Sequence, residues 1–170
     1  MQKEVCIDVD MLSQATVLPG NQDWPHYLEL IVDYICENWP SVLCEDITKE
    51  SFLKLYEQEL VTRIEEGGRI LLLWKLGNEP IAIANTWVEQ RENETCLQIA
   101  EFSVIKKYRK RGFGRFIIKA LMNVGKVANA SRLVAEVDED IEANSFWMKV
   151  LDNCIENQQS GRNQYWAYIK

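Results

Sequence analysis

Nowhere in these 170 residues do about eighteen apolar side chains run together, so no segment is expected to cross a membrane as a helix. The opening Met1-Gln2-Lys3-Glu4-Val5-Cys6 has no apolar signal-peptide core. Histidine occurs once, as His26 after Trp24-Pro25, where a solvent-facing place in a first helical turn is expected rather than a catalytic one. The five cysteines (Cys6, Cys36, Cys44, Cys96, Cys154) are odd in number and never spaced Cys-x-x-Cys. That argues against a zinc site and a disulfide framework and fits a reducing, cytoplasmic setting; no metal is expected. No histidine is suggested as partner for a cysteine nucleophile. A formal charge of −7 disfavours general nucleic-acid binding. What is present is ordinary for a globular protein, 47% hydrophobic and 26% charged residues, and the length suits one domain with a substantial core.

Charge is placed unevenly. Seven of the nineteen basic residues (Lys106, Lys107, Arg109, Lys110, Arg111, Arg115, Lys119) fall in one stretch that contains no acid, leaving 12 basic against 26 acidic residues elsewhere, a balance of −14. The stretch Phe102-Ser103-Val104-Ile105-Lys106-Lys107-Tyr108-Arg109-Lys110-Arg111-Gly112-Phe113-Gly114 reads as a buried strand, a basic turn with two glycines, then an amphipathic helix. Glycines let main-chain N–H groups approach a phosphate, and the following helix points the positive end of its dipole at the same spot. The turn is not the dinucleotide fingerprint, because the third glycine is missing after Gly112 and Gly114, and no Gly-Lys-Ser/Thr makes it a Walker A loop. Read alone, it serves equally as an ordinary loop, a solvated basic face or a nucleic-acid patch.

The pattern apolar-x-Val-x-x-x-Tyr-Arg-x-x-Gly-x-Gly resembles the acyl-CoA motif of the GNAT superfamily of N-acyltransferases, whose Arg/Gln-x-x-Gly-x-Gly/Ala is matched by Arg109, Gly112 and Gly114. Downstream, Asp140-x-x-Ala143-x-x-Phe146-Trp147 is similar to the superfamily's second signature, Asn-x-x-Ala-x-x-aromatic-aromatic. The likeness covers about residues 69 to 169. It implies an α/β (α+β) fold: a GNAT-like mixed, mostly antiparallel twisted sheet with a splayed parallel strand pair, flanked by about four helices. The expected layout is one domain over residues 1–170, with 1–68 forming the acceptor side and 69–170 the sheet and acyl-CoA-binding core.

In chain order, the alternation of Val5, Ile7 and Val9 suggests a first strand, closed by a turn at Leu18-Pro19-Gly20. Asp23 stands as N-cap of a helix carrying Tyr27, Leu28, Ile31, Tyr34 and Ile35 and ending before Pro40. A second helix is expected from Thr48 to Glu65, with Phe52, Leu55, Tyr56, Leu60 and Ile64 on one face and Gly67-Gly68 as its stop. Strands follow at Arg69–Leu76, Pro80–Gln90 and Thr95–Ile105, then the glycine turn and a helix whose face is Phe113, Ile117, Leu121, Val124 and Ala128. Arg132–Val137 is a buried strand, parallel to the one before the turn. A helix from Ile141 to Leu151, capped by Asp138 or Asp140, precedes a closing hairpin of Cys154–Glu156 and Gln164–Ile169.

The resemblance implies acetyl-CoA as co-substrate and direct transfer of its acyl group to an amine. Carried onto this chain, the backbone of Val104 and Lys106, flanking Ile105, holds the pantetheine amides. The N–H groups of Arg111, Gly112, Phe113, Gly114 and Arg115 cradle the pyrophosphate, with Arg109 and Arg111 adding charge. Glu101 is the candidate base, directly or through water, and a main-chain N–H near Val104 polarises the carbonyl. Trp147 stands where many members carry an acid Tyr, and Asp140 where Asn is usual; both count as cofactor-side residues, with packing in the core the simpler role for Trp147. Tyr108, Tyr165 and Tyr168 are the alternative phenols. The acidity outside the motif suggests a cationic acceptor, and the chain leaves a homodimer open. A GNAT-like acyl-CoA-binding module with little chemistry is the alternative to an enzyme.

Overall fold

The computed structural model describes residues 11–44, 46–91, 93–138, 143–157 and 161–170, without the side chains of 156 and 157. The alternation at Val5 to Val9 lies outside these residues. A seven-stranded sheet carries four α-helices. Its strands are β1 (Leu12–Thr16), β2 (Arg69–Leu76), β3 (Glu79–Gln90), β4 (Thr95–Val104), β5 (Arg132–Asp138), β6 (Asn153–Asn157) and β7 (Arg162–Tyr168). The helices are α1 (Trp24–Asn38), α2 (Lys49–Glu65), α3 (Phe113–Val127) and α4 (Asn144–Val150). Strand order is β1-β2-β3-β4-β5-β7-β6. Pairing is antiparallel at β1–β2, β5–β7 and β6–β7, and parallel at β4–β5, where Cys96 lies opposite Arg132 and Ile99 opposite Ala135. This is the mixed, mostly antiparallel sheet the resemblance implies. Among the described residues no helix is long and apolar enough to cross a membrane.

The chain packs as two compact units. The first runs to Asn85 and takes in Glu101–Phe113. Its core joins Tyr27, Leu28, Ile31 and Val32 of α1 to Tyr56 and Leu60 of α2, and to Leu71, Leu73 and Ile83 of β2 and β3. Each such aliphatic side chain, fully buried, is worth about 1.5–3 kcal/mol. The second comprises Thr86–Ala100 and Gly114–Lys170. Here Leu97, Ile117, Leu121, Leu133 and Ala167 are buried.

Local rules account for most boundaries. Trp39 leaves the helical region before Pro40, which ends α1. Thr48 accepts from the Ser51 N–H at 3.2 Å and starts α2, and Gly67 and Gly68 at φ +90° and +101° end it. Two details depart from the expectations. Asp23 occupies the N-cap of α1 but makes no cap bond, because its carboxylate pairs with Lys75. Leu55 is 55% exposed; the face that α2 packs on the core is made by Tyr56 and Leu60, with Phe52, Val61 and Ile64 partly buried beside them. Helix α4 is described from Asn144, after Ala143 at its N-cap; the expected start at Ile141 and Asp140 lie outside the described residues, and Asp138, within β5, accepts from Arg162 at 2.8 Å.

Candidate active site

Strand β4 delivers the chain into the basic turn. The Ile105 N–H donates to the Ile81 carbonyl at 2.8 Å, and a single 3-10 turn spans Lys106–Tyr108. Within the turn, the Tyr108 N–H donates to the Ile105 carbonyl and the Arg109 N–H to the Lys106 carbonyl at 3.2 Å. Among the described residues that is the last backbone bond before α3 outside the helix itself. Lys110 at φ +61° and Gly112 at φ +90° then swing the chain into α3. Only glycine takes the second of these without strain. The opening N–H groups of α3 have no acceptor within the helix, which leaves the main chain of Arg111 to Arg115 as a row of donors.

The side chains around the turn brace it. Arg109 donates from Nε to the Val104 carbonyl at 2.7 Å and from Nη1 and Nη2 to the two carboxylate oxygens of Glu37 on α1, at 3.3 and 3.1 Å. Hydrogen bonding to Arg109 holds the Glu37 carboxyl below the usual range. Arg109 is therefore fastened inward. The Tyr108 hydroxyl donates to Glu79 at 2.5 Å, and its ring meets Phe113 edge-on at 5.8 Å, with Arg111 over the same ring. Arg111, Arg115 and Lys119 are exposed, and Lys106 reaches Glu37 only at 3.6 Å. Beside the turn lies a cavity of about 180 Å³ lined by Asp33, Tyr34 and Glu37 of α1, Ile83 of β3, Ser103 of β4 and Arg109.

Glu101, three residues before Val104, sits in a buried polar cluster of the first unit. Its Oε1 accepts from the Tyr56 hydroxyl of α2 at 3.4 Å, and its Oε2 is buried without a hydrogen-bond partner. Burial raises its carboxyl above the ordinary range, opposed by the Arg69 charge, the Asn85 side chain, Arg63 and Tyr56. Asn85 of β3 is fully buried; Oδ1 accepts from Arg69 at 3.5 Å, while Nδ2 has no partner in bonding geometry. Burial also raises the Tyr56 phenol, with the Glu101 charge adding to it, and lowers the half-buried Arg69. Tyr27, its phenol raised by burial, gives its hydroxyl to the Ala84 carbonyl at 3.2 Å.

In the second unit Trp147 is buried and packs edge-on against Phe146 at 5.1 Å. A Cβ added at Gly114 would lie 2.9 Å from the Phe146 ring, which explains that glycine by packing alone. Asp140 lies outside the described residues. The alternative phenols are all engaged: Tyr165 donates to Asn144 Oδ1 at 2.8 Å, Tyr168 is 57% exposed and accepts from Arg132 at 3.3 Å, and Tyr108 is held by Glu79. His26 is exposed. Among the described residues no three His, Cys, Asp or Glu side chains gather in a way that could hold a metal ion.

Sequence reading passed over Tyr56, Asn85, Arg69, Glu37 and Asn144. Tyr56 looked like part of an apolar helical stripe. Asn85 was the readable signal, a polar residue directly after Ile81-Ala82-Ile83-Ala84, where a buried strand otherwise has no use for an amide. The Glu37–Arg109 and Tyr56–Glu101 contacts join residues 72 and 45 positions apart, which no local pattern predicts.

The architecture recurs in solved acetyltransferases. An acetyltransferase from Thermus thermophilus is 20% identical with a TM-score of 0.68, over 93% of this chain and 97% of that one. The acetyl transferase of Salmonella typhimurium that modifies the N-terminal serine of a 50S ribosomal subunit protein is 15% identical with a TM-score of 0.64, over 94% and 96%. PaiA N-acetyltransferase from Thermoplasma acidophilum, solved in complex with coenzyme A, is 11% identical with a TM-score of 0.70, over 92% and 98%. At such identities the likeness is one of fold. No curated protein sequence matches the chain significantly. A family model described as the acetyltransferase (GNAT) family matches residues 29–151, most of the chain and all of the strand–turn–helix segment. The protein therefore belongs to the GNAT acetyltransferase family.

Proposed function

We propose that this chain is an N-acetyltransferase that passes an acetyl group from acetyl-CoA to the primary amine of a small cationic acceptor or a peptide, by direct attack within a ternary complex. The observation that carries the reading is Glu101, a half-buried carboxylate whose pKa burial raises above the ordinary range, on the strand that leads straight into the glycine turn. Raised carboxylates of this kind suit general-base work near neutral pH.

The turn's donor set fits the co-substrate: a row of main-chain N–H groups at a helix start suits a pyrophosphate better than any one side chain. In this reading the N–H groups of Arg111 to Arg115 hold the pyrophosphate, and the backbone of Val104 and Lys106 holds the pantetheine amides. Arg109 keeps the turn in shape through Glu37 and the Val104 carbonyl, so its part is bracing. Bound acetyl-CoA supplies an acyl group already activated as a thioester. Glu101 takes one proton from the acceptor's ammonium so that the free amine attacks, and a main-chain N–H near Val104 polarises the carbonyl. The second amine proton leaves with the thiol, and one proton per turnover is released from Glu101 to water. Arg69 and Arg63 assist by lowering the ammonium pKa of any amine that approaches the carboxylate. A thiol of pKa about 8.5 leaves readily without a dedicated acid, which suits a protein whose Tyr108 and Tyr165 hydroxyls already donate to Glu79 and Asn144. We place it in the cytoplasm, where Cys36, Cys44, Cys96 and Cys154 stay free.

Trp147 in place of the usual tyrosine supports a second reading, an acyl-CoA-binding module with little turnover. One experiment separates the two. Wild-type protein and Glu101→Gln are given acetyl-CoA with a panel of amines, and thiol release is followed. An enzyme loses about 10²- to 10⁴-fold in rate with acetyl-CoA affinity kept. No thiol release by wild type on any amine, with tight binding of acetyl-CoA, contradicts the catalytic reading.

A further inference from the structure

The peptide group between Val104 and Ile105 is held from both sides. Its N–H donates to the Ile81 carbonyl of β3 at 2.8 Å. The bond is trans, so its carbonyl points to the opposite edge of β4, where it accepts from Arg109 Nε at 2.7 Å. The pairing of β4 with β5 reaches Ile99, which leaves Val104 beyond it on that edge. The aim of Arg109 is set from α1. Its guanidinium is a rigid plane, and the two carboxylate oxygens of Glu37 grip Nη1 and Nη2 at 3.3 and 3.1 Å. With that side of the fork fixed, Nε is directed at the Val104 carbonyl. The two side chains are 39% and 42% exposed, and a surface ion pair of this kind adds little to stability. What the pair orders is the strand end that leads into the basic turn.

We propose that Glu37 on α1 is a positioning residue for the thioester arm of acetyl-CoA, acting through Arg109 to fix the orientation of the Val104–Ile105 peptide group. The proposal rests on the reading that the main chain around Val104 holds the pantetheine amides. Glu37 touches no substrate in this role. A pantetheine amide carries one N–H and one carbonyl at a set spacing, so its partners on the strand must keep their directions for both bonds to form together. Neighbouring charges do not replace the grip. Lys106 Nζ stands 3.6 Å from Glu37, and an ammonium has no fork with which to hold a carboxylate and a carbonyl in one plane. Asp33, one turn earlier on α1 and lining the same cavity as Glu37, is paired with Lys49. The other use of Arg109, to pair its charge with the pyrophosphate, makes the opposite demand, because Glu37 then competes with phosphate for the guanidinium. Removing Glu37 therefore affects binding with opposite sign in the two cases.

Val104-Ile105 is the one Val-Ile step in the sequence, so carbonyl-labelled valine with nitrogen-labelled isoleucine gives a single NMR cross-peak that reports this peptide group. In the protein without ligand, Glu37→Ala and Arg109→Lys are each expected to move that cross-peak. Glu37→Gln, which keeps one acceptor for the guanidinium, should move it less. Calorimetric titration with acetyl-CoA should show affinity weakened about tenfold in Glu37→Ala, the effect of losing one hydrogen bond to a charged group, at a melting temperature close to that of wild type. Adding Glu37→Ala to Arg109→Ala should weaken binding no further than Arg109→Ala alone, because both act through one contact. A cross-peak unmoved in folded Glu37→Ala overturns the positioning role. So does unchanged or tighter binding, the latter being what a phosphate-pairing Arg109 requires. The cross-peak needs no ligand, so its failure is distinct from that of the co-substrate reading, which falls if wild type binds no acetyl-CoA.

Discussion

Glu101 makes a claim about stability as well as about rate. Its carboxyl titrates near 4.3 in an unfolded chain, and burial raises it in the fold. Between those two values the native protein binds the extra proton, so stability falls as pH rises through that window and stays lower above it. The penalty is about 1.4 kcal/mol for each unit by which the carboxyl is raised. Glu101→Gln should therefore melt higher than wild type at pH 7.5, with the gain vanishing near pH 4. Thermal melts at the two pH values check this, and equal melting points at pH 7.5 would mean that the carboxylate is solvated. Such a trade of stability for a poised base is what a functional site exhibits and a surface ion pair does not.

The element that organises the candidate site is the strand–turn–helix from β4 to α3, and its two glycines do different work. At φ +90°, Gly112 gives the turn its shape, and alanine there costs about 1–2 kcal/mol in backbone strain and tilts the N–H row. At Gly114 the added methyl meets the Phe146 ring, an overpacking cost of about 1–3 kcal/mol. Gly112→Ala is expected to weaken acetyl-CoA binding more than its loss of melting temperature alone explains. Gly114→Ala should lose stability chiefly, and the added Phe146→Ala substitution should relieve its clash. Binding and melting measured together on the three variants decide whether the roles divide this way. Elements of this kind were legible in sequence because their rules are local: Pro40 stops α1, Thr48 caps α2, and Gly67-Gly68 ends it. Asp23 shows where locality fails, since it has the residue type of a cap and a distant lysine takes its carboxylate.

For the molecule as a whole, the sequence carried the fold through two spaced motifs and the meander between them. Glu101 and the turn were legible because they lie in one continuous segment. Their supports were not, since Glu37, Tyr56 and Asn85 arrive from α1, α2 and β3, and tertiary contact alone brings them to Arg109 and Glu101. Net charge adds a claim at this scale. With −14 outside the basic stretch, the proposed cationic acceptor would be drawn to the protein and an anionic co-substrate to the stretch itself. Raising ionic strength should therefore raise KM for a polycationic amine, with little change for a neutral one. The central claim, that main-chain amides at the start of α3 hold the diphosphate of acetyl-CoA, is tested most directly by calorimetric titration of wild type and Gly112→Ala with acetyl-CoA. Saturable binding by one molecule per chain, weakened at least tenfold (roughly 1.4 kcal/mol) in the variant, is the predicted result; no binding heat in wild type, or equal affinity in a folded Gly112→Ala, would contradict it.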